Sequence, residues 1–73
     1  MEFDMYRFGS NLDTILRYKG RTQKDLAKAI GGSEAMVSKW MHGVSLPSTK
    51  SILKISYIYD ISIDELMEGV LVV

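Results

Sequence analysis

Few side chains in this sequence of 73 residues could carry out covalent chemistry. Cysteine is absent and His42 is the only histidine, so a nucleophile, a general base and a residue that orients the base cannot be assembled. The carboxylates Asp64, Glu65 and Glu68 fit the solvated, capped end of a short helix. The pair Gly31-Gly32 fits a helix stop rather than a loop that holds phosphate. We therefore expect no enzymatic activity, no metal site and no cofactor.

The charged residues are distributed unevenly along the chain. The formal net charge is zero, which by itself argues against nucleic acid, because neutralising phosphates supplies most non-specific affinity. The segment from Arg17 to Lys54, however, carries eight basic and two acidic residues, a formal charge of +6, while the two ends together carry −6. Such a basic block is typical either of solvated helix surface or of a surface that binds an anionic partner.

The totals limit the chain to one small domain, residues 1–73, with no space for a further effector domain. Without cysteine, neither disulfides nor a thiolate zinc site can stabilise the fold. The hydrophobic core must do so alone, and 47% of all residues are hydrophobic. No apolar stretch approaches the roughly 20 residues that span a bilayer. The N-terminus is acidic and unlike a secretory signal. We expect a cytoplasmic protein without membrane contact.

Apolar residues follow a helical period from Phe8 onward. Phe8, Leu12 and Leu16 fall on one stripe, and Gly20 fits a left-handed residue that ends the helix. The whole pattern predicts an all-α domain of five helices, over residues 8–19, 23–30, 33–41, 49–59 and 63–68.

Capping residues set the starts of the later helices. Thr22 precedes the second helix, and Asp25 three residues on completes a capping-box-like pair. Ser33, Ser48 and Ser62 are the expected N-caps of the third, fourth and fifth helices. Each connection is therefore only a few residues long.

Apolar spacing also indicates which residues form the core. In the second and third helices these are Leu26, Ile30, Val37 and Trp40. Trp40 could stack on a base, but its position among the other apolar residues favours the core. The fourth helix is apolar nearly all round, which predicts a central, well-covered helix.

The apolar tail, residues 70–73, has three interpretations. It is a frayed end, a strand that covers its own domain, or a contact between two copies. An all-apolar end is costly to expose, and we favour dimerisation through the last helix and this tail.

A set of residues in the middle of the chain follows a known order and spacing: Gln23, Leu26, Ala27, Gly31, Ser33, Val37, Trp40, Gly43 and Pro47. On these positions, residues 8–68 resemble the helix-turn-helix domain of the phage Cro and repressor family, also called the XRE-like family. The resemblance implies a compact lambda-repressor-like fold, whose third helix enters the major groove of DNA while the second lies across the backbone.

The resemblance also implies which residues contact DNA. Lysine can donate to guanine, glutamate can accept from cytosine and alanine can touch a thymine methyl group. The family's base-reading positions fall on Ser33, Glu34, Ala35 and Lys39. The expected contacts to the DNA backbone come from Gln23, Lys24, His42, Ser48 and Lys50.

Three residues depart from the family pattern. Gly32 replaces an apolar turn residue, which removes a packing contact between the helices. Met41 replaces a common glutamate, so a typical ion pair is lost. Glu34 brings a negative charge into a groove lined by phosphates.

Two functions fit this sequence. The first is a Cro-like repressor from a bacterium or phage that binds a double-stranded operator as a homodimer and needs no small-molecule effector. The second is a helix-turn-helix domain reused for protein interaction, as in an antirepressor or antitoxin-like partner. Zero net charge, Glu34 and the apolar tail favour the second, whereas the basic block favours the first.

Overall fold

Residues 1–73 form five helices and a small two-stranded sheet in a computed structural model. The predicted five-helix, lambda-repressor-like architecture is confirmed, with the short sheet added. No helix is long and apolar enough to cross a membrane. The elements are β1 (Glu2–Phe3), α1 (Met5–Lys19), α2 (Gln23–Ile30), α3 (Glu34–Met41), α4 (Thr49–Tyr59), α5 (Ile63–Met67) and β2 (Leu71–Val72).

Every helix begins after a side chain that accepts a hydrogen bond from a backbone amide three residues on. In α1 that residue is Asp4, whose Oδ1 accepts from the Arg7 amide at 2.9 Å. The helix therefore starts at Met5, and the predicted start at residue 8 is wrong. For α5, the Ser62 hydroxyl oxygen accepts the Glu65 amide at 3.0 Å, which confirms Ser62 as its N-cap.

Left-handed residues end the first, second and fourth helices. Gly20 and Gly31 have φ angles of 67° and 72°, a conformation that costs glycine little. Asp60 takes the same role after α4 with a φ of 52°, where a short polar side chain tolerates this region better than most.

The core draws buried side chains from all five helices and from the tail. Trp40 is 3% exposed, so its predicted place in the core is confirmed. The buried apolar residues are Phe8, Leu12, Leu16, Leu26, Ala27, Ile30, Val37, Trp40, Ile55, Tyr59, Leu66 and Val70.

The backbones of α1 and α3 approach closely where α1 crosses the end of α3. A Cβ atom on Gly9 would lie 2.5 Å from the Met41 carbonyl oxygen and 2.9 Å from that of Trp40. Only glycine fits this crossing without moving backbone, and the sequence pattern did not single it out.

The position of α4 differs from its prediction. Only Ile55 and Tyr59 are buried, whereas Leu53 and Tyr57 are 52% and 88% exposed. The helix contacts α2 and α5 on one side and lies at the edge of the domain. The prediction of a central, covered helix is therefore wrong, because an apolar surface residue is common and does not require a partner.

The tail forms a strand within its own domain, which is one of the three interpretations. β2 pairs antiparallel with β1, with Phe3 opposite Leu71. Val70 is fully buried, and its carbonyl accepts from the Asp4 amide at 2.6 Å. The outer side chains Leu71 and Val72 remain about half exposed.

Polar side chains of α1 hold the short α5. Asn11 Nδ2 donates to the carbonyls of Leu66 and Glu68 at 3.0 and 2.8 Å. Arg7 pairs with the Glu68 carboxylate at 2.5 Å and donates to Asn11 Oδ1 at 3.2 Å. Carbonyls that α5 leaves unpaired at its end are thereby satisfied.

Candidate nucleic-acid interface

The segment 22–43 folds as helix, tight turn and helix. After the left-handed Gly31, the Gly32 amide donates back to the Ala27 carbonyl at 2.9 Å, and Ser33 already caps α3. The predicted core residues Leu26, Ile30, Val37 and Trp40 are all buried, which holds the inner sides of both helices against the domain.

The outer side of α3 carries all four residues expected to read bases. Ser33, Glu34, Ala35 and Lys39 are exposed. Three of them lie at the start of α3, and Lys39 lies more than one turn further along. The structure therefore presents one cation, one carboxylate, one hydroxyl and one methyl group on a continuous solvent-facing surface.

Two of these four side chains also have local roles. Ser33 Oγ accepts from the Met36 amide at 3.1 Å, so its proton remains available for donation. Glu34 lies in the first turn, where a carboxylate complements the helix dipole. Lys39 makes no ion pair within the protein, since the two pairs present are Arg7–Glu68 and Arg17–Asp13.

The residues expected at the DNA backbone gather at the starts of α2 and α4. Lys24 and Lys50 are exposed in the first turns, and Gln23 is half-buried. Ser48 is exposed, but its oxygen caps α4 by accepting the Ser51 amide at 3.2 Å. Helix N-termini present unpaired amides and a partial positive charge, which suits phosphate.

His42 is exposed after α3 and is tied to the preceding turn. Its Nδ1 lies 2.8 Å from the Ser38 carbonyl oxygen, so this nitrogen is the donor. In the neutral ring Nε2 is then an acceptor, and it can donate to a phosphate only when the ring is protonated. Ser38 is half-buried, and its Oγ lies 3.2 Å from the same nitrogen. Ser38 was not among the residues that the sequence predicted at the DNA interface.

The capping box of α2 is complete. Thr22 Oγ1 accepts the Asp25 amide at 3.1 Å, and the Asp25 carboxylate accepts the Thr22 amide at 2.8 Å. The Thr22 amide and hydroxyl lower the pKa of Asp25, with further lowering by Arg21 and Lys28. Across the groove between α2 and α4, burial raises the pKa of Tyr59.

Most of the basic block is free to meet an anion. Arg17 pairs with Asp13 at 2.8 Å on the same helix, and Lys54 donates to the Ile30 carbonyl at 3.2 Å. The basic side chains without an ion pair or hydrogen bond in the protein are Lys19, Arg21, Lys24, Lys28, Lys39 and Lys50.

Two of the three sequence departures inside the motif, Gly32 and Met41, are compensated by apolar contacts. The Met36 side chain covers Gly32, with its terminal methyl carbon in the space that a Cβ would occupy. Met41 is half-buried and packs against the core, so an apolar contact stands where the family commonly has glutamate.

A helix with one buried side, followed by a glycine turn and a second helix with a polar outer side, defines a helix-turn-helix domain. The helix-turn-helix family model matches residues 16–66. The chain belongs to this Cro/XRE-like family of transcriptional regulators, as its resemblance predicted. Residues 16–66 are thus a DNA-binding helix-turn-helix domain of the kind found in transcriptional regulators.

Known proteins of similar sequence and structure are regulators. The HTH-type transcriptional activator BcrR of Enterococcus faecalis is 34% identical over 62 residues, which cover 85% of this chain and 30% of BcrR. The chain thus spans less than a third of that relative. The restriction-modification controller protein C.AhdI of Aeromonas hydrophila is 32% identical with a TM-score of 0.79, covering 86% of this chain and 96% of that chain.

A third comparison concerns the fold alone. The SOS-response transcriptional repressor LexA of Eubacterium rectale has a TM-score of 0.82 at 23% identity, covering 96% of this chain and 79% of that chain. The architecture is therefore shared at low sequence identity.

Proposed function

We propose that this protein is a sequence-specific, double-stranded DNA-binding repressor that occupies an operator through α3. The observation that carries the proposal is the exposure of Ser33, Glu34, Ala35 and Lys39 on one side of a helix whose other side is buried. An α-helix fits the major groove, where each base pair presents a distinct pattern of donors and acceptors.

Each of these four residues has a role in this proposal. Lys39 donates to guanine O6 or N7, Glu34 accepts from cytosine N4, and Ala35 contacts a thymine methyl group. Ser33 can donate its hydroxyl proton while still capping the helix. These contacts select sequence, whereas phosphate contacts position the domain without reading it.

The backbone contacts flank this surface. Gln23 and Lys24 approach one phosphate from the start of α2, and Ser48 and Lys50 approach another from the start of α4. His42 adds a further contact from the end of α3.

Selection from random duplex DNA tests the proposal. A repressor of this kind enriches one motif, and its affinity falls steeply with salt. An adaptor domain, the alternative from the sequence, would enrich no motif and would bind a protein instead. Failure to enrich any sequence at low salt would therefore overturn sequence-specific binding.

Activation is a second candidate, because BcrR is named an activator. Repression and activation differ in a reporter assay that carries the DNA motif found by the selection. A repressor lowers transcription when its site overlaps the promoter and does nothing from an upstream site. An activator raises transcription from the upstream site.

We also propose that the protein binds as a homodimer through α5 and the tail. Phe3, Leu71 and Val72 expose 60%, 50% and 46% of their surfaces around the small sheet. Contact between these side chains and a second copy of the protein would remove their apolar surface from water. The carboxylates Glu2 and Asp4 lie beside this surface, so salt should tighten the dimer by screening their repulsion.

Sedimentation of a Val72→Glu variant tests this interface. Removing the tail after Gly69 is a poorer test, because it also removes the buried Val70. Val72→Glu should yield monomers, whereas the matched control Tyr57→Glu, on the exposed side of α4, should not. A Val72→Glu protein that dimerises like wild type would exclude the tail from the interface.

A further inference from the structure

The turn between α2 and α3 is held by backbone hydrogen bonds and has few side-chain contacts of its own. The Gly31 and Gly32 amides donate to the Lys28 and Ala27 carbonyls at 3.3 and 2.9 Å, and the cover over Gly32 is the flexible end of Met36. Methionine adapts its shape easily and so specifies a geometry poorly. A side-chain contact from outside the turn therefore adds to the contacts that set how α3 leaves α2.

Lys54 supplies such a contact from a different helix. Its Nζ donates to the Ile30 carbonyl oxygen at 3.2 Å, reaching from the middle of α4 to the last residue of α2. That carbonyl is among those a helix leaves unpaired at its C-terminus. A cation there also complements the negative end of the helix dipole.

The same helix carries proposed phosphate contacts. Ser48 and Lys50 lie at the start of α4, and Lys54 lies one turn beyond Lys50. The Lys54 bond therefore joins the element that would meet the DNA backbone to the turn that sets the direction of α3.

We infer that Lys54 is a positioning residue for DNA recognition, which fixes the α2–α3 turn instead of contacting phosphate. The inference rests on the proposed sequence-specific binding by α3. It assigns to one member of the basic block a role different from that of its neighbour Lys50.

The test compares Lys54→Met, Lys54→Arg and the matched control Lys50→Met. Dissociation constants are measured for the duplex selected by the wild-type protein and for a scrambled duplex, over a range of salt concentrations. Lys54→Met should weaken binding to the selected duplex roughly fivefold and leave the scrambled duplex and the salt slope unchanged. Lys54→Arg should restore binding, because arginine keeps a donor and the charge.

The control should behave differently. Lys50→Met should weaken both duplexes and reduce the salt slope by about one, as expected for a lost phosphate contact. If Lys54→Met gives this second pattern, or leaves both affinities unchanged, the inference is wrong.

A measurement on the free protein separates this inference from the proposed function. Amide hydrogen exchange at Gly31 and Gly32 should accelerate about fivefold in Lys54→Met and return toward wild type in Lys54→Arg. If exchange accelerates in Lys54→Met but the wild-type protein selects no DNA sequence, the proposed function is wrong, while the Lys54 bond still stabilises the turn. Unchanged exchange would overturn the inference itself.

Discussion

At the residue scale, Glu34 has two opposing effects. Its carboxylate lies in the first turn of α3, where it complements the helix dipole. On DNA the same charge would face phosphates, so it is favourable only where it accepts a base hydrogen bond. Glu34 should therefore suppress binding to wrong sequences, which is a way of gaining specificity by repulsion.

Replacing Glu34 by Gln tests this effect. Removing one negative charge should strengthen binding to scrambled duplex DNA by about 1 kcal/mol, or roughly fivefold, and should weaken the preference at one base position. Fluorescence anisotropy with selected and scrambled duplexes measures both. A Gln variant that binds scrambled DNA more weakly than wild type would contradict the assignment.

Gly9 is the residue most constrained by its neighbours. A methyl group there would meet two backbone carbonyls of α3, which cannot swing aside as a side chain could. We expect Gly9→Ala to lower the free energy of unfolding by about 1–3 kcal/mol despite the better helix propensity of alanine. Urea denaturation measures the change, with exposed Ser10→Ala as the control. Equal stability of Gly9→Ala and wild type would disprove the close crossing.

The sequence predicted some residue roles better than others. Trp40 could be assigned to the core because its own helix supplies the period. Gly9 and Asn11 could not be assigned, because their roles depend on the carbonyls of a distant helix. For Asn11, only its bonds to the carbonyls of Leu66 and Glu68 reveal why an amide is there.

At the element scale, local capping chemistry accounts for much of the fold. The predicted bounds of α2 and α4 match the structure because Thr22 and Ser48 mark their starts and Gly31 and Asp60 their ends. The start of α1 was missed because residues 1–7 lack a clear apolar period, although Asp4 is a good N-cap. Element boundaries are therefore readable where a cap and an apolar period coincide.

The capping box of α2 predicts a specific acid dependence. The pKa of Asp25 is lowered in the folded protein from 3.8, so its contribution to stability is present above that pH and is lost as the pH falls through the lower, folded value. Asp25→Asn should destabilise the protein at neutral pH and lose less further stability on acidification. Thermal unfolding between neutral pH and strong acid measures this, and parallel pH profiles for the two proteins would refute it.

Truncation of the tail should lower the stability of the fold. Ending the chain after Gly69 removes the fully buried Val70 and the β1–β2 pairing. Burial of one such side chain stabilises by about 1.5–3 kcal/mol, so we expect a loss of at least that size. A chain ending after Val72 should retain wild-type stability in urea denaturation. Full stability after removal of residues 70–73 would show that the strand is dispensable.

At the scale of the whole molecule, a neutral total conceals two oppositely charged regions. The basic block, residues 17–54, contains α2, α3 and the first half of α4. The acidic ends contain β1, α5 and the residues next to them. The longest dimension is 33 Å, close to the roughly 34–36 Å of one DNA helical turn. Two copies of this size can lie side by side at the roughly 34–36 Å spacing of paired half-sites, as the proposed homodimer requires.

The pairing of the two chain ends was not predictable from sequence. β1 and β2 have two residues each and lie at opposite ends of the chain. Such short segments carry almost no strand signal of their own. Their pairing depends on the contact between α1 and α5, which brings the two chain ends together, so it is a property of the assembled domain.

The central claim is that α3 reads bases, and it is tested most directly by parallel selection from random duplex DNA. Wild type, Lys39→Ala and Lys50→Ala are compared for the base preferences they enrich. Lys39→Ala should lose its preference at one base position, whereas Lys50→Ala should keep the wild-type preferences and bind all sequences more weakly. Identical preferences for wild type and Lys39→Ala would contradict base reading by this side chain of α3.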